Sequence, residues 1–171
     1  MPAEARNSRS TAPEGERQAA RHLAEKRVLR QFRMVFNAVK THFREVEKKA
    51  GVAGAQLWAL SVIRESPGIG VGELAAAMDV HQSTASNLVK TLVEQKLAVA
   101  KKKALDKRTV QLHVLAGGER ALRRAPGPFA GVLPQALADL DRQTLARLDK
   151  DLAKLISTLH PDKRSGRIPI G

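Results

Sequence analysis

The chain of 171 residues contains no cysteine and no tyrosine, and aromatic residues make up only 3% of it. Without cysteine the chain can form neither disulfides nor thiolate metal sites, and a cysteine redox sensor is excluded. Because aromatic side chains are scarce, the core must be built from Leu, Val, Ile, Ala and Met. That composition favours helices over an aromatic-rich β-sandwich.

Long apolar runs are missing as well. No segment approaches the length that spans a bilayer. Residues 1–22 contain no apolar stretch of the kind that a secretory signal carries. We therefore expect a cytoplasmic protein that does not associate with a membrane.

Catalytic and metal-ligating patterns are also lacking. The histidines are scattered, with no pair at the spacing of metal ligands; they are His22, His42, His81, His113 and His160. The segment GIGVG at 68–72 lacks the lysine and the preceding strand of a phosphate-binding loop. We expect no enzyme activity, no metal and no cofactor.

Positive charge, in contrast, is in large excess. Lysine and arginine number 30 against 17 aspartates and glutamates, which gives a net charge of +13. Such an excess attracts polyanions, of which nucleic acid is the commonest. Charge alone does not separate DNA from RNA, from an anionic membrane or from a merely solubilising surface.

Two segments near the chain ends carry apolar residues at steps of three and four, which predicts amphipathic helices. The first stripe is Val28, Phe32, Val35, Val39, Phe43 and Val46, and the second is Leu145, Leu148, Leu152, Leu155 and Leu159. The two helices could pack on each other within one molecule. We favour a homodimer, because the stripes are longer than a small middle domain can cover. The regions expected to form its interface are those of Val28, Phe32, Val35, Leu148, Leu152 and Leu155.

The middle of the chain predicts two short helices joined by a tight turn. Residues 71–78 and 81–96 have helical patterns, and the break falls at Asp79 and Val80. Such a pair is typical of a helix-turn-helix unit, whose second helix enters the major groove of DNA. The second helix has one apolar face, formed by Ala85, Leu88, Val89 and Leu92.

The opposite face of this second helix is short and polar rather than covered with Glu–Lys pairs. Hydroxyl and amide side chains are mediocre helix formers, so they need another reason to be there. They are short enough to let a helix approach DNA and to contact phosphates and base edges. The candidate contacts are Gln82, Ser83, Thr84, Ser86, Asn87 and Lys90. The alternative is a neutral polar face at a subunit contact.

A basic hairpin is predicted directly after this helix. Residues 97–103 and 109–115 have strand patterns, and cations crowd the connection between them. The basic residues are Lys101, Lys102, Lys103, Lys107 and Arg108. A basic tip suits the narrow, negative minor groove. Asp106 is expected to orient Arg108 through a charge-assisted hydrogen bond.

From about Gly51 to Leu122 the sequence resembles the MarR family of bacterial transcription regulators. The resemblance rests on Gln56 in GVAGAQLWAL, on GVGELAAAMDVHQSTASNLVKTLVEQKL, and on DKRTVQLHVLAGGERAL, which contains Asp106-x-Arg108 and Gly118. It implies a mainly α fold with a small β-hairpin wing, a homodimer built from both chain ends, and a palindromic DNA site. It also implies repression as the commoner mode, with a small aromatic or phenolic effector that releases the DNA.

The domain organisation that follows has five parts. We expect a disordered tail at 1–16, a dimerisation helix at 17–50, a winged helix-turn-helix domain at 51–116, C-terminal dimerisation helices at 117–160 and a tail at 161–171. The sequence departs from the family at Pro126-Gly127-Pro128, which breaks a helix that is usually continuous.

The effector site is the least constrained part of the sequence. Trp58 is the single tryptophan. It is either a core or interface aromatic or the wall of a ligand pocket in which His42 or Arg44 meets an anion. The rival function is a winged-helix module for protein interaction or DNA architecture, without ligand control.

Overall fold

The computed structural model describes residues 13–102 and 110–169, apart from the side chains of Lys163 and Arg164. The chain divides into two compact units, residues 1–37 and residues 38–171. Mainly helical structure with a two-stranded antiparallel hairpin confirms the predicted fold class. In the described part of the chain no helix is both long and apolar enough to cross a membrane.

The first unit consists of the beginning of helix α1 (Glu14–Ala50). This helix begins three residues before the predicted start, because the Pro13 carbonyl accepts from the amide of Arg17. Glu14 and Glu16 lie in the first turn, where carboxylates stabilise the positive end of the helix dipole. Phe32 and Phe36 stack with ring centroids 6.3 Å apart. Large apolar side chains remain exposed on this part of α1, namely Leu23, Val28, Leu29, Met34, Val35 and Phe36.

The second unit holds the rest of α1 and the other elements. They are α2 (Gly54–Glu65), α3 (Val71–Ala77), α4 (Gln82–Glu94), β1 (Ala98–Lys102), β2 (Val110–Val114), α5 (Ala116–Arg124), α6 (Val132–Ala138), α7 (Arg142–Leu159) and a 3₁₀ helix (Lys163–Arg167). The predicted helices and strands of the middle region agree with these bounds to within two residues, apart from strand segments that fall on residues 103–109.

The core is aliphatic, as the scarcity of aromatic residues predicts. Its most deeply buried large side chains are Leu57, Leu60, Ile63, Leu74, Met78, Leu92 and Leu112. The predicted inner face of α4 is confirmed, since Ala85 and Leu92 are fully buried and Leu88 packs against the same cluster. The turn between α3 and α4 is tight: Asp79 has a φ of 48°, and the Val80 amide donates to the Ala75 carbonyl.

The base of the hairpin is tied to the loop between α2 and α3 and lies against α5. Ala98 pairs with Val114, and Leu112 exchanges main-chain hydrogen bonds with Gly68 and Ile69. A Cβ atom at Gly118 would overlap the Leu97 carbonyl, so α5 can lie this close to the hairpin only with glycine there. These contacts fix the base of the hairpin relative to the α2–α3 loop and α5.

The C-terminal elements differ from one another in what they bury. Helix α5 ends at Arg124 and α6 begins at Val132, which confirms the predicted break at Pro126-Gly127-Pro128. Helices α6 and α7 bury none of their residues within the chain. The segment predicted as a tail from residue 161 differs from expectation, because Lys163–Arg167 forms a 3₁₀ turn.

Candidate nucleic-acid interface and a nearby cavity

The outward face of α4 carries the predicted contact residues. Gln82, Ser83, Ser86, Asn87 and Lys90 are exposed, and Thr84 is half-buried. The buried residues on the opposite face anchor the helix in the core. The structure therefore brings six of the predicted side chains together on one 13-residue helix.

These polar groups are available for a ligand. Among the described residues, the side chains of Ser83, Ser86 and Asn87 make no hydrogen bond within the chain. The Thr91 hydroxyl donates to the main-chain carbonyl of Asn87 at 3.0 Å, a bond that does not involve the side-chain amide of Asn87. Lys90 Nζ lies 4.0 Å from Glu94 Oε1, and both groups are exposed. Such a pair contributes only about 0.2–0.5 kcal/mol, so phosphate can displace Glu94 at little cost.

The wing adds positive charge beside this helix. Lys101 and Lys102 are exposed at the end of β1, where Lys102 pairs with Val110. The other predicted wing contacts, Lys103, Asp106, Lys107 and Arg108, lie outside the described residues. The role of Asp106 in orienting Arg108 therefore stays a prediction.

A cavity of about 240 Å³ lies next to the turn between α3 and α4. Its wall is mainly apolar and includes Phe43, Trp58, Met78, Val80, Leu133 and Leu137. Asp79 and Arg167 are the charged residues that line it. Because Met78, Asp79 and Val80 connect directly to α4, a molecule in this cavity would contact the base of the candidate recognition helix.

The predicted effector residues separate in the structure. Trp58 is half-buried and forms part of the cavity wall. His42 and Arg44 do not line the cavity. Instead, His42 donates through Nε2 to the carbonyl of Pro128 at 3.0 Å, and Arg44 is exposed.

Three cavity residues were not singled out by the sequence as site residues. Phe43 belongs to the apolar stripe of α1, and its ring fits against Gly131, where a Cβ would lie 2.8 Å from Phe43 Cζ. The sequence predicts Asp79 only as part of the turn between two helices. Arg167 lies in a segment read as a tail, and no local pattern connects it to Trp58.

The leucine stripe of α7, predicted from the sequence, remains partly exposed to solvent. Leu145, Leu155, Ile156 and Leu159 are exposed, with Leu159 at 67%. Leu148 and Leu152 are half-buried. In the described part of the chain, no group of three or more His, Asp or Glu residues is arranged to hold a metal ion.

Comparisons with known proteins agree with this architecture. The MarR family model matches residues 50–109. A Thauera aromatica protein assigned as the transcriptional regulatory protein for the hcr operon is 32% identical over 123 residues, which cover 71% of this chain and 69% of that protein.

Two solved structures share the fold. One is a MepR-like protein complexed with pseudoligands (TM-score 0.54, 17% identity, covering 78% of this chain and 94% of the other). The second is the complex of S. aureus MepR with DNA (TM-score 0.53, 20% identity, covering 75% and 95%).

Proposed function

Because this chain belongs to the MarR family, we propose that it is a sequence-specific transcription regulator that binds double-stranded DNA through α4 and the β1–β2 wing. The observation that carries the proposal is the outward face of α4. There, exposed short polar side chains without internal hydrogen bonds lie on a helix whose other face is locked in the core. Side chains of this kind contact phosphates and base edges when a helix enters the major groove.

The relatives support DNA as the ligand. The Thauera aromatica relative is assigned to transcriptional regulation, and the S. aureus MepR structure that shares this fold is a DNA complex. The net charge of +13 favours the same partner, since cations release counterions from the DNA backbone.

The regulator acts as a homodimer on a palindromic operator. An 18-residue helix with no fully buried residue in its own chain depends on another surface for its stability, and α7 is such a helix. Exposed apolar side chains on α1, among them Val28 and Val35, also require a partner. Two-fold symmetry then presents two α4 helices to half-sites about one helical turn, or a multiple of it, apart.

Control by a small aromatic or phenolic acid is the further part of this proposal. A cavity of about 150 Å³ is large enough to bind benzene, and the one beside Trp58 measures about 240 Å³. Its contact with the α3–α4 turn gives an effector a direct route to the position of α4. Repression, by occupation of the operator, is the mode that we propose.

Footprinting on the DNA upstream of the chain's own gene tests the function. We expect a protected palindrome, and an affinity that falls steeply with salt. Asn87→Ala should alter the ranking of base-substituted operators by about 1–3 kcal/mol. Lys102→Gln should instead weaken binding to all of these operators equally, and it should lower the slope of log affinity against log salt concentration by about 1. Lys150→Gln on α7 serves as the charge-matched control.

The rival function makes a different prediction for the same measurements. A protein-interaction or architectural module would bind operator and scrambled DNA equally. Its affinity would also be unchanged in Ser83→Ala and Asn87→Ala. That pair of results would contradict sequence-specific regulation.

A further inference from the structure

The C-terminal segment, residues 165–169, forms part of the cavity beside Trp58. Gly166, Arg167, Ile168 and Pro169 all line it. The segment is shaped by its own hydrogen bonds, from the Ser165 amide to the Asp162 carbonyl and from the Ile168 amide to the Ser165 carbonyl. Among the described residues, no hydrogen bond joins residues 165–169 to another helix or strand.

This segment is a wall of the cavity rather than a plug. About 240 Å³ remains open with the segment in place, and a cavity of about 150 Å³ is enough to bind benzene. Ile168 is 58% exposed and Pro169 is half-buried, as expected for a wall at the solvent edge. A bound ring would therefore have the segment on its outer side.

Among the described residues that line the cavity, the one cation belongs to this segment. Arg167 and Asp79 line the cavity, and no ion pair within 4.0 Å joins them in the described part of the chain. An anion is favoured over a cation as the partner of this site, because the chain as a whole carries a net charge of +13 and attracts anions. Guanidinium also matches the planar, two-oxygen geometry of a carboxylate.

We propose that the C-terminal segment is the outer wall of the effector site, and that Arg167 receives the carboxylate of an aromatic acid whose ring occupies the apolar interior beside Trp58. This assignment rests on the proposed control by an effector. It replaces His42 and Arg44, the cations expected from the sequence, with a residue about 110 positions further along the chain than Trp58. Arg167 acts as a specificity-determining residue that separates acids from neutral analogues.

Fluorescence of Trp58, the chain's single tryptophan, measures the binding directly. The probes are benzoate, its neutral analogue benzamide and the cation benzylamine. The wild-type chain should prefer benzoate. Because Arg167 is exposed, Arg167→Gln should lower the affinity for benzoate by roughly two- to fivefold and leave the affinity for benzamide unchanged. Arg167→Lys should keep most of the preference.

Two further variants, a substitution and a truncation, complete the experiment. Arg123→Gln is the matched control, since Arg123 lies on α5 near Glu119 and does not line the cavity. It should leave the affinities for all three probes unchanged. A chain ending at residue 161 loses the wall, and it should bind both benzoate and benzamide about tenfold more weakly.

The outcomes separate this inference from the function on which it rests. An unchanged ratio of benzoate to benzamide affinity in Arg167→Gln, or a preference for benzylamine at Asp79, overturns the role of Arg167. In that case effector control stands if the probes still bind and still release DNA. If no probe alters either Trp58 fluorescence or DNA binding, effector control itself fails and this inference fails with it.

Discussion

His42 donates a hydrogen bond from Nε2 to the main-chain carbonyl of Pro128, 3.0 Å away and 86 residues further along the chain. This bond ties α1 to the loop that replaces a continuous helix between α5 and α6. The loop is held at two neighbouring points, where the Arg64 guanidinium lies 5.9 Å from the Phe129 ring centroid and Gly131 packs against Phe43. The loop at the Pro-Gly-Pro break is thus held in place by contacts with α1 and α2, and it continues directly into the cavity wall.

Removing the His42 side chain should loosen this loop. His42→Ala loses one hydrogen bond, which corresponds to a decrease of about 0.5–1.5 kcal/mol in the free energy of unfolding. Binding of benzoate should weaken as well, because Leu133 and the adjoining wall follow the loop. His42→Gln retains a donor and should recover part of both losses. Urea unfolding and Trp58 titration measure the two effects.

Arg44→Ala is the control for this substitution, since Arg44 is exposed on the same helix and lies off the cavity. Equal stability in His42→Ala and Arg44→Ala would show that the bond to Pro128 does not hold the loop.

Gly131 should not tolerate a side chain. Its φ of 93° lies in a region that L-residues rarely adopt, and an added Cβ would lie 2.8 Å from Phe43 Cζ. Gly131→Ala should therefore destabilise the chain by about 1–2 kcal/mol and push Phe43 into the cavity, which lowers the affinity for benzoate.

A second glycine provides the comparison in thermal unfolding. Gly72→Ala, in α3, places its Cβ in open space and should stabilise the chain by about 0.5–1 kcal/mol through helix propensity. A Gly131→Ala chain as stable as the wild type would contradict the assigned backbone geometry.

Much of the helix-turn-helix and of the hairpin is predictable because the signals for them are local. The periodicity of 81–96 depends on neighbouring residues alone, so the inner and outer faces of α4 could be assigned before its packing was known. The hairpin followed from alternation at Val110, Leu112 and Val114.

The cavity could not be predicted in the same way, because its residues meet only after folding. Trp58 is a candidate from the sequence because it is the single tryptophan, whereas Arg167 lies in a polar stretch whose composition suggests a tail. The sequence suggests that His42 faces a ligand, whereas in the structure its Nε2 donates to the carbonyl of Pro128, 86 residues further along the chain. The stripe of α1 also divides, since Val39 and Val46 are buried whereas Val28 and Val35 stay exposed.

The leucine stripe of α7 leads to a prediction about dimer assembly. Leu152 lies in the middle of this stripe and is half-buried in the single chain. In a homodimer Leu152→Lys would bury an unpaired ammonium, and we expect the dissociation constant of the dimer to rise about a hundredfold or more. Operator affinity should fall with it, because a monomer reaches only one half-site.

Sedimentation equilibrium measures the assembly, and Lys150→Glu on the opposite side of α7 is the control for altered charge. A dimer unchanged by Leu152→Lys would place the interface elsewhere.

The start of α7 gives a pH dependence of known sign. Asp141 is the N-cap and accepts from the Thr144 amide at 2.9 Å. Hydrogen bonds from the Thr144 hydroxyl and amide lower the pKa of the Asp141 carboxyl below its ordinary value. A carboxyl whose pKa is lower in the folded chain adds stability above its unfolded pKa of about 3.9, and this stability is lost as the pH falls through the folded value.

Asp141→Asn isolates this contribution, because asparagine also caps helices but cannot ionise. The wild-type chain should melt at a higher temperature than Asp141→Asn at pH 7, and the difference should shrink below about pH 3.9. Asp141→Ala loses the cap itself and should melt lower than the wild type at both pH values. Circular dichroism melts between pH 7 and pH 3 give all three curves. A wild-type advantage over Asp141→Asn that persists undiminished at pH 3 would mean that the Asp141 charge is not what holds the first turn of α7.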